Sequence, residues 1–199
     1  LLAIMLTFAI ITQAQDKPDR IKGDPKLSEV WEPVPPVVSP GKTSLDAPSD
    51  AIILFNGNDF NAWKSDSGNI KWTLDGGAMT VKPGAGQITT RQAFGDCQLH
   101  IEWRTPAIVK GVSQERGKSG IFLMGRYELQ VLDNYNNRTY SNGQAGSIYK
   151  QTPPAVNACR PPGEWQTYDI FWTAPRFNED GTVKTPASEV EAERCFLNR

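Results

Sequence analysis

Histidine and cysteine are both scarce in this sequence. Its 199 residues contain one histidine, His100, and three cysteines, Cys97, Cys159 and Cys195. A zinc site built from several histidines is therefore excluded, and three cysteines without a closely spaced pair do not make the disulfide framework of a small secreted scaffold. One bridge between Cys97 and Cys159 remains open, and so does the simpler alternative of ordinary buried thiols.

An excess of either charge is also missing. The formal net charge is -1 and the isoelectric point is about 5.9, so no basic field marks nucleic acid or an anionic membrane surface as a partner. The sequence has no glycine-rich phosphate loop in front of a helix and no serine in a nucleophile elbow. Nucleotide-dependent and serine-hydrolase chemistry therefore have no support.

A hydrophobic run long enough to span a bilayer is absent as well. Residues 1–11 are nearly all apolar, but they are too few to cross a membrane, and a small-residue cleavage site precedes Gln15. Residues 1–14 are typical of the end of a secretory signal peptide, so we expect a secreted or periplasmic protein without stable membrane insertion. Residues 15–50 hold seven of the fifteen prolines, which predicts an extended leader.

Before the tail, no stretch of ten residues shows a helical period. Strand-length runs instead recur between Gly, Pro and Asn, which predicts an all-β protein, an antiparallel β-sandwich, over residues 51–187. The charged tail, residues 188–199, is predicted to be helical over 188–197. Loops 105–118 and 133–146 are long enough to be either functional or disordered. Strands are predicted at residues 51–55, 71–74, 78–81, 87–90, 97–104, 147–151 and 165–172, and as an adjacent pair within 119–133.

Two of these strands carry a polar face. In the second strand of the 119–133 pair, Glu128 and Gln130 alternate with apolar residues, and in strand 97–104 the residues His100, Glu102 and Arg104 do the same. Side chains two residues apart in a strand project from the same face. These two faces hold the first candidates for a functional site.

Five segments, taken together and in this order, resemble the 3-keto-disaccharide hydrolase domain family, formerly catalogued as a domain of unknown function. The resemblance implies a jelly-roll fold of the concanavalin A-like lectin and glucanase type. Lys150 stands where the family usually has a small residue, and after Pro186 and Ala187 the family continues with closing strands that residues 188–199 do not match. We therefore expect a sandwich that lacks its closing strands. The matching segments are residues 54–57, 101–104, 119–133, 143–149 and 163–170.

The activity implied by the resemblance is hydrolysis of 3-keto-glycosides, including 3-keto-disaccharides. A ketone at C3 acidifies the proton on C2, so a base can form an enolate, the C1 oxygen can leave by β-elimination, and water can add to the enone. The route needs a base, a donor at the enolate oxygen and an acid, but not the paired carboxylates of an ordinary glycosidase. An upstream sugar 3-oxidase would supply the keto-sugar.

Glu102 and Glu128 are the candidates for the base and the acid, because each lies on the polar side of a strand that otherwise faces a core. Arg126 or Arg104 could stabilise the enolate. For each glutamate, a solvated strand face or an ion pair with one of these arginines remains an equal alternative.

The other candidates would bind substrate or metal. Gln130, Tyr149 and Gln151 could bind sugar hydroxyls, and His100 could do the same or act as a base. Asp133, at a strand end, could ligate a divalent cation, or could cap its loop; no other cofactor is indicated. Two further functions remain open, a non-catalytic carbohydrate-binding module and an inactive fragment.

Overall fold

The computed structural model describes residues 23–43 and 46–190. The chain divides into two units, Leu1–Ile53 and Leu54–Arg199. In the described part of the first unit, the one regular element is a 3-10 helix, Pro25–Ser28, whose cap Asp24 accepts a hydrogen bond from the Lys26 amide at 3.1 Å. The signal-peptide prediction lies outside the described residues. None of the described helices has the length and apolar character needed to cross a bilayer.

The second unit is built from antiparallel strands with two short 3-10 turns, Ser113–Glu115 and Ser141–Gly143. No α-helix occurs in the described part of this unit. The strands in chain order are β1 (Trp63–Lys64), β2 (Thr73–Asp75), β3 (Ala78–Thr80), β4 (Thr89–Thr90), β5 (Cys97–Trp103), β6 (Ser119–Leu123), β7 (Tyr127–Val131), β8 (Gln166–Thr173), β9 (Arg176–Phe177), β10 (Val183–Thr185) and β11 (Ser188–Val190).

The two longest pairings form the centre of the domain. Strand β8 lies between β5 and β11, and it pairs with β5 from Cys97↔Trp172 to Trp103↔Gln166. Strands β6 and β7 form a hairpin in which Ser119 is opposite Val131. The remaining strands form the two-stranded pairs β1–β4, β2–β3 and β9–β10.

The core lies between the β5–β8–β11 sheet and the β6–β7 hairpin. Strand β8 contributes alternate residues that include Tyr168 and Trp172, and β7 contributes Leu129. The rings of Tyr127 and Trp172 meet across the two layers with centroids 5.1 Å apart, and the Tyr168 hydroxyl donates to the backbone oxygen of Gln130 at 2.8 Å. Strands β5 and β8 therefore each have one buried face and one outer face, and the predicted antiparallel β-sandwich is confirmed.

Several predicted strands form as expected. The β2–β3 hairpin turns at Gly76 and Gly77, which both have positive φ, and β5, β6, β7 and β8 occupy their predicted segments. The two long loops, 105–118 and 133–146, are hydrogen-bonded to each other.

Three local predictions are wrong. Residues 51–55 form no strand, since the run has no partner strand and Ile52 and Ile53 are exposed. Residues 147–151 make only isolated bridges, from Ile148 to Leu129 and to Thr152. The predicted helix at 188–197 begins instead as strand β11, because pairing with the edge of β8 outweighs local helix propensity; residues 191–197 lie outside the described part.

The bridge between Cys97 and Cys159 is not formed. The two residues are not joined to each other, and burial raises the pKa of the Cys97 thiol, with a smaller contribution from the charge of Asp96. The alternative of an ordinary thiol therefore holds for Cys97; Cys195 lies outside the described residues.

Candidate active site

The outer face of the β6–β7 hairpin carries the strongest site candidates. In the hairpin register, Phe122 is opposite Glu128 and Gly120 is opposite Gln130. Residues directly opposite in an antiparallel pair project from the same face, so these four share the outer face while Leu129 points into the core. One carboxyl group therefore lies on a face with an aromatic ring beside it.

The two long loops cover the Gln130 end of this face. Asn137 joins them, since its side chain accepts from the Ser113 amide at 2.9 Å and donates to the Ser113 oxygen at 2.9 Å. Gln114 donates to the Gly143 oxygen at 2.8 Å and accepts from the Gln130 side chain at 2.8 Å. Gln130 is fully buried below these contacts, so it supports the loops and is not placed to bind a sugar hydroxyl as expected.

Glu128 remains partly open to solvent next to this covered region. Its side chain lies across Gly120, where a Cβ atom would collide with the carboxyl Oε1, so glycine is what leaves room for the carboxyl group. Burial raises the pKa of the Glu128 carboxyl above its ordinary value of 4.5, and the nearby charge of Lys118 acts in the opposite direction. A carboxyl group with a raised pKa is a stronger base than an ordinary surface glutamate.

Replacing Glu128 by Gln is expected to increase the free energy of unfolding at neutral pH relative to the wild-type protein, but not at acid pH. The raised pKa means that the folded protein holds this proton more tightly than the unfolded chain does. The protonated Glu128 carboxyl group therefore contributes to the stability of the wild-type protein below its ordinary pKa, and this contribution is lost as the pH rises through the raised pKa of the folded protein. Urea unfolding of both proteins from acid to neutral pH measures this, and a difference that stays constant with pH would contradict it.

A pair of tyrosines lies beside Glu128. The backbone N–H of Tyr149 donates to the backbone carbonyl oxygen of Glu128 at 2.8 Å, and the Tyr140 and Tyr149 hydroxyl oxygens are 2.6 Å apart. This hydrogen bond, with burial and the charge of Glu128, raises the pKa of Tyr140 to about 12. Tyr140 therefore stays protonated at neutral pH. One hydroxyl donates to the other, and the accepting hydroxyl keeps its own hydrogen for a ligand.

Lys150 adds a cation to the tyrosine pair. Its Nζ lies 4.0 Å from the centroid of the Tyr140 ring and 5.7 Å from that of Tyr149, within the range of a cation–π interaction. Its φ of 64° is in the left-handed region, which favours small residues such as glycine, and its amide donates to the Asn142 oxygen at 2.8 Å.

The candidates on β5 lie on the other side of the sandwich. Glu102 and His100 are exposed on the outer face of the β5–β8 sheet, where the His100 Nδ1 is 2.7 Å from the Asp169 carboxylate. Arg104 is stacked on the Trp165 ring, 4.8 Å from its centroid. Because β5 and β7 both turn their apolar residues to the shared core, their polar faces point away from each other. The structure therefore does not bring Glu102 and Glu128 into one site.

The remaining candidates have other surroundings. Arg126 is exposed in the turn between β6 and β7. Gln151 is also exposed in a turn, where its backbone N–H donates to the backbone oxygen of Ile148. Asp133 is buried, with Oδ2 accepting from two guanidinium nitrogens of Arg116 and Oδ1 accepting from the Tyr135 amide at 3.1 Å. This is the loop-cap alternative. The described residues contain no group of three His, Cys, Asp or Glu side chains that could hold a metal, and the cation site stays a prediction.

Sequence reasoning did not propose four residues around Glu128 as site residues: Lys118, Phe122, Tyr140 and Lys150. Of these, Lys150 had been noted only as a departure from the family pattern. Phe122 had a usable signal, because the strand register places it opposite Glu128. Tyr140 had none, since it comes from a loop whose path depends on contacts with another loop and on Gly143, where a Cβ atom would collide with the tyrosine ring.

Comparison with known proteins agrees with the fold and with the resemblance. The family model described as "3-keto-alpha-glucoside-1,2-lyase-like domain" matches residues 50–191. A crystal structure of a "putative glycosyl hydrolase" from Parabacteroides distasonis is 55% identical in sequence, with a TM-score of 0.78 over 82% of this chain and 72% of that one.

A second structure from the same organism, with the same description, is 21% identical, with a TM-score of 0.48 over 70% of each chain; at that distance it supports no argument. No match was found among curated proteins. The family match covers well over half of the 199 residues. The chain therefore belongs to the 3-keto-α-glucoside 1,2-lyase-like family, also described as the 3-keto-disaccharide hydrolase domain.

Proposed function

We propose that this protein is an exported carbohydrate-active enzyme that cleaves 3-keto-glycosides by elimination and hydration. The observation that carries the proposal is the Glu128 carboxyl group, which has a raised pKa and lies on an accessible strand face beside two hydrogen-bonded tyrosine hydroxyls and a lysine. Family membership and the similar "putative glycosyl hydrolase" support a carbohydrate substrate. Export rests on the apolar segment at residues 1–11, and the ketone implies a sugar 3-oxidase upstream.

Glu128 acts as the base in this mechanism. It removes the proton from C2, the C1=C2 double bond forms as the C1–O bond breaks, and the electron pair leaves on the glycosidic oxygen. The proton now on Glu128 is available to that oxygen, and water adds at C1 of the enone to complete the hydrolysis. The negative charge that develops on the C3 oxygen is met by the spare hydroxyl hydrogen of the tyrosine pair and by the Lys150 ammonium group.

This assignment differs from the sequence-based one. Arg104 and Glu102 are given no role, because they lie on the opposite outer face. Arg126 is close to Glu128 in sequence and remains available at the hairpin turn to an extended substrate.

The proposal predicts that the wild-type protein releases methanol from methyl 3-keto-α-glucoside but not from methyl α-glucoside. Without the ketone, the C2 proton is not acidic enough for Glu128 to remove. Replacing the C2 hydrogen by deuterium is expected to slow cleavage, because the C2–H bond breaks during elimination. Product release and the enone absorbance measure both effects.

Equal cleavage of the two glucosides would instead indicate an ordinary glycosidase. Binding of the keto-glucoside without any release would favour the carbohydrate-binding module.

A further inference from the structure

The side of Glu128 away from the tyrosine pair carries two large apolar side chains, and the charge of Lys118 also acts on Glu128 there. Phe122, its cross-strand partner, is 53% exposed, and Met124, at the start of the hairpin turn, is 48% exposed. Neither side chain belongs to the core cluster. Large apolar side chains next to a carboxyl group with a raised pKa are typical of a ligand site, in which a few polar groups lie among apolar ones.

The outer face is therefore asymmetric about Glu128. Across the face, Phe122 on β6 comes first, Glu128 on β7 is in the middle, and Tyr149 follows in the next segment. The backbone N–H of Tyr149 holds that segment to β7 by donating to the backbone carbonyl oxygen of Glu128. Directly opposite residues in an antiparallel pair have Cβ atoms about 4.5–5.5 Å apart. A group bound at the Glu128 carboxylate is thus within reach of the Phe122 ring.

We infer that Phe122 and Met124 form a subsite for an apolar, aromatic leaving group of the 3-keto-glycoside. This inference rests on the proposed function. The hydroxyls and ketone of the sugar match the tyrosine pair and Lys150, and the leaving oxygen is on C1, next to the C2 atom that faces Glu128. The group attached to that oxygen is then directed to the Phe122 side, where the flat face of an aryl ring packs on the Phe122 ring.

The test compares phenyl 3-keto-α-glucoside with methyl 3-keto-α-glucoside. Replacing Phe122 by Ala is expected to lower kcat/KM for the phenyl substrate by about 10-fold, mainly through KM, because a packing contact made equally in the ground and transition states affects binding. The methyl substrate is expected to change less than about 2-fold, since it does not reach the ring. Phe122→Trp keeps an aromatic surface and is expected to retain the preference for the phenyl substrate.

Phe171→Ala is the matched control. Phe171 is 47% exposed on the outer face of β8, so the substitution removes a ring of similar exposure on the opposite side of the sandwich, and both substrates are expected to be unaffected. Equal losses for the phenyl and methyl substrates in Phe122→Ala, or no loss for either, would overturn the subsite.

A binding measurement separates this inference from the proposed function. Calorimetric titration of the phenyl glucoside into Glu128→Gln and into Phe122→Ala/Glu128→Gln needs no turnover. Weaker binding of the phenyl glucoside to the double variant supports the subsite, whether or not the wild-type protein cleaves this compound. Failure of the wild-type protein to cleave it would reject the proposed function but not the subsite. Equal binding to the two variants, or binding to neither, would reject the subsite.

Discussion

Replacing Glu128 by Gln is expected to lower kcat on a 3-keto-glycoside by about 10²- to 10⁴-fold, the range over which a positioned general base contributes. The amide is nearly isosteric with the carboxyl group and fits the same space above Gly120, but it cannot accept the C2 proton. Tyr140 cannot replace it, since the hydrogen bond to Tyr149 raises the pKa of Tyr140 to about 12 and keeps its hydroxyl protonated. Steady-state kinetics, with calorimetric titration for binding, measures the effect.

Glu102→Gln is the control for this prediction. Glu102 is exposed on the outer face of the β5–β8 sheet, so its amide variant is expected to keep wild-type kcat and KM. A loss in Glu102→Gln that equals the loss in Glu128→Gln would contradict the division of the two glutamates between opposite faces. Full activity of Glu128→Gln would reject Glu128 as the base.

Replacing Arg116 by Gln is expected to lower the free energy of unfolding by about 3–5 kcal/mol, the usual cost of removing one partner from a buried ion pair. The side chains of Arg116 and Asp133 are only 13% and 4% exposed, and two guanidinium nitrogens donate to one carboxylate oxygen. Without the arginine, the buried Asp133 carboxylate loses its compensating charge. Urea unfolding measures the change.

Arg176→Gln is the matched control for the ion pair. Arg176 also donates to a carboxylate, that of Asp96, at 2.6 Å, but both side chains are about half exposed. Exposed pairs are screened by water and salt, so the loss of stability is expected to be much smaller than for Arg116. Equal losses in the two variants would show that the Arg116–Asp133 pair gains nothing from its burial.

Much of the sandwich could be predicted because strand signals are local. The alternation of residues 127–131 predicts which side chains share a face, and the glycines of the β2–β3 turn predict a hairpin. The errors occur where no local signal decides the outcome. Ile148 has a strand-like sequence but only bridge partners, and Ser188–Val190 pairs with an edge that lies fifteen or more residues earlier in the chain.

The candidate site was predicted in part. Glu128 and Tyr149 are brought together as neighbours, whereas Glu102, His100 and Arg104 are not. Alternation assigns a polar face to each strand, but it does not say whether two polar faces meet or point apart. That depends on how the sheets stack, and here β5 and β7 both turn their apolar faces to one core.

The sequence by itself determined the strand periodicity, the turn positions and the family, since each depends on residues close together in the chain or on a pattern preserved along it. The tertiary structure alone decided which polar face could become a site. It buried Gln130 under two joined loops, set the Tyr140 hydroxyl against Tyr149, and left Glu128 between a hydroxyl pair and an aromatic ring. These are contacts between distant segments, and packing determines them.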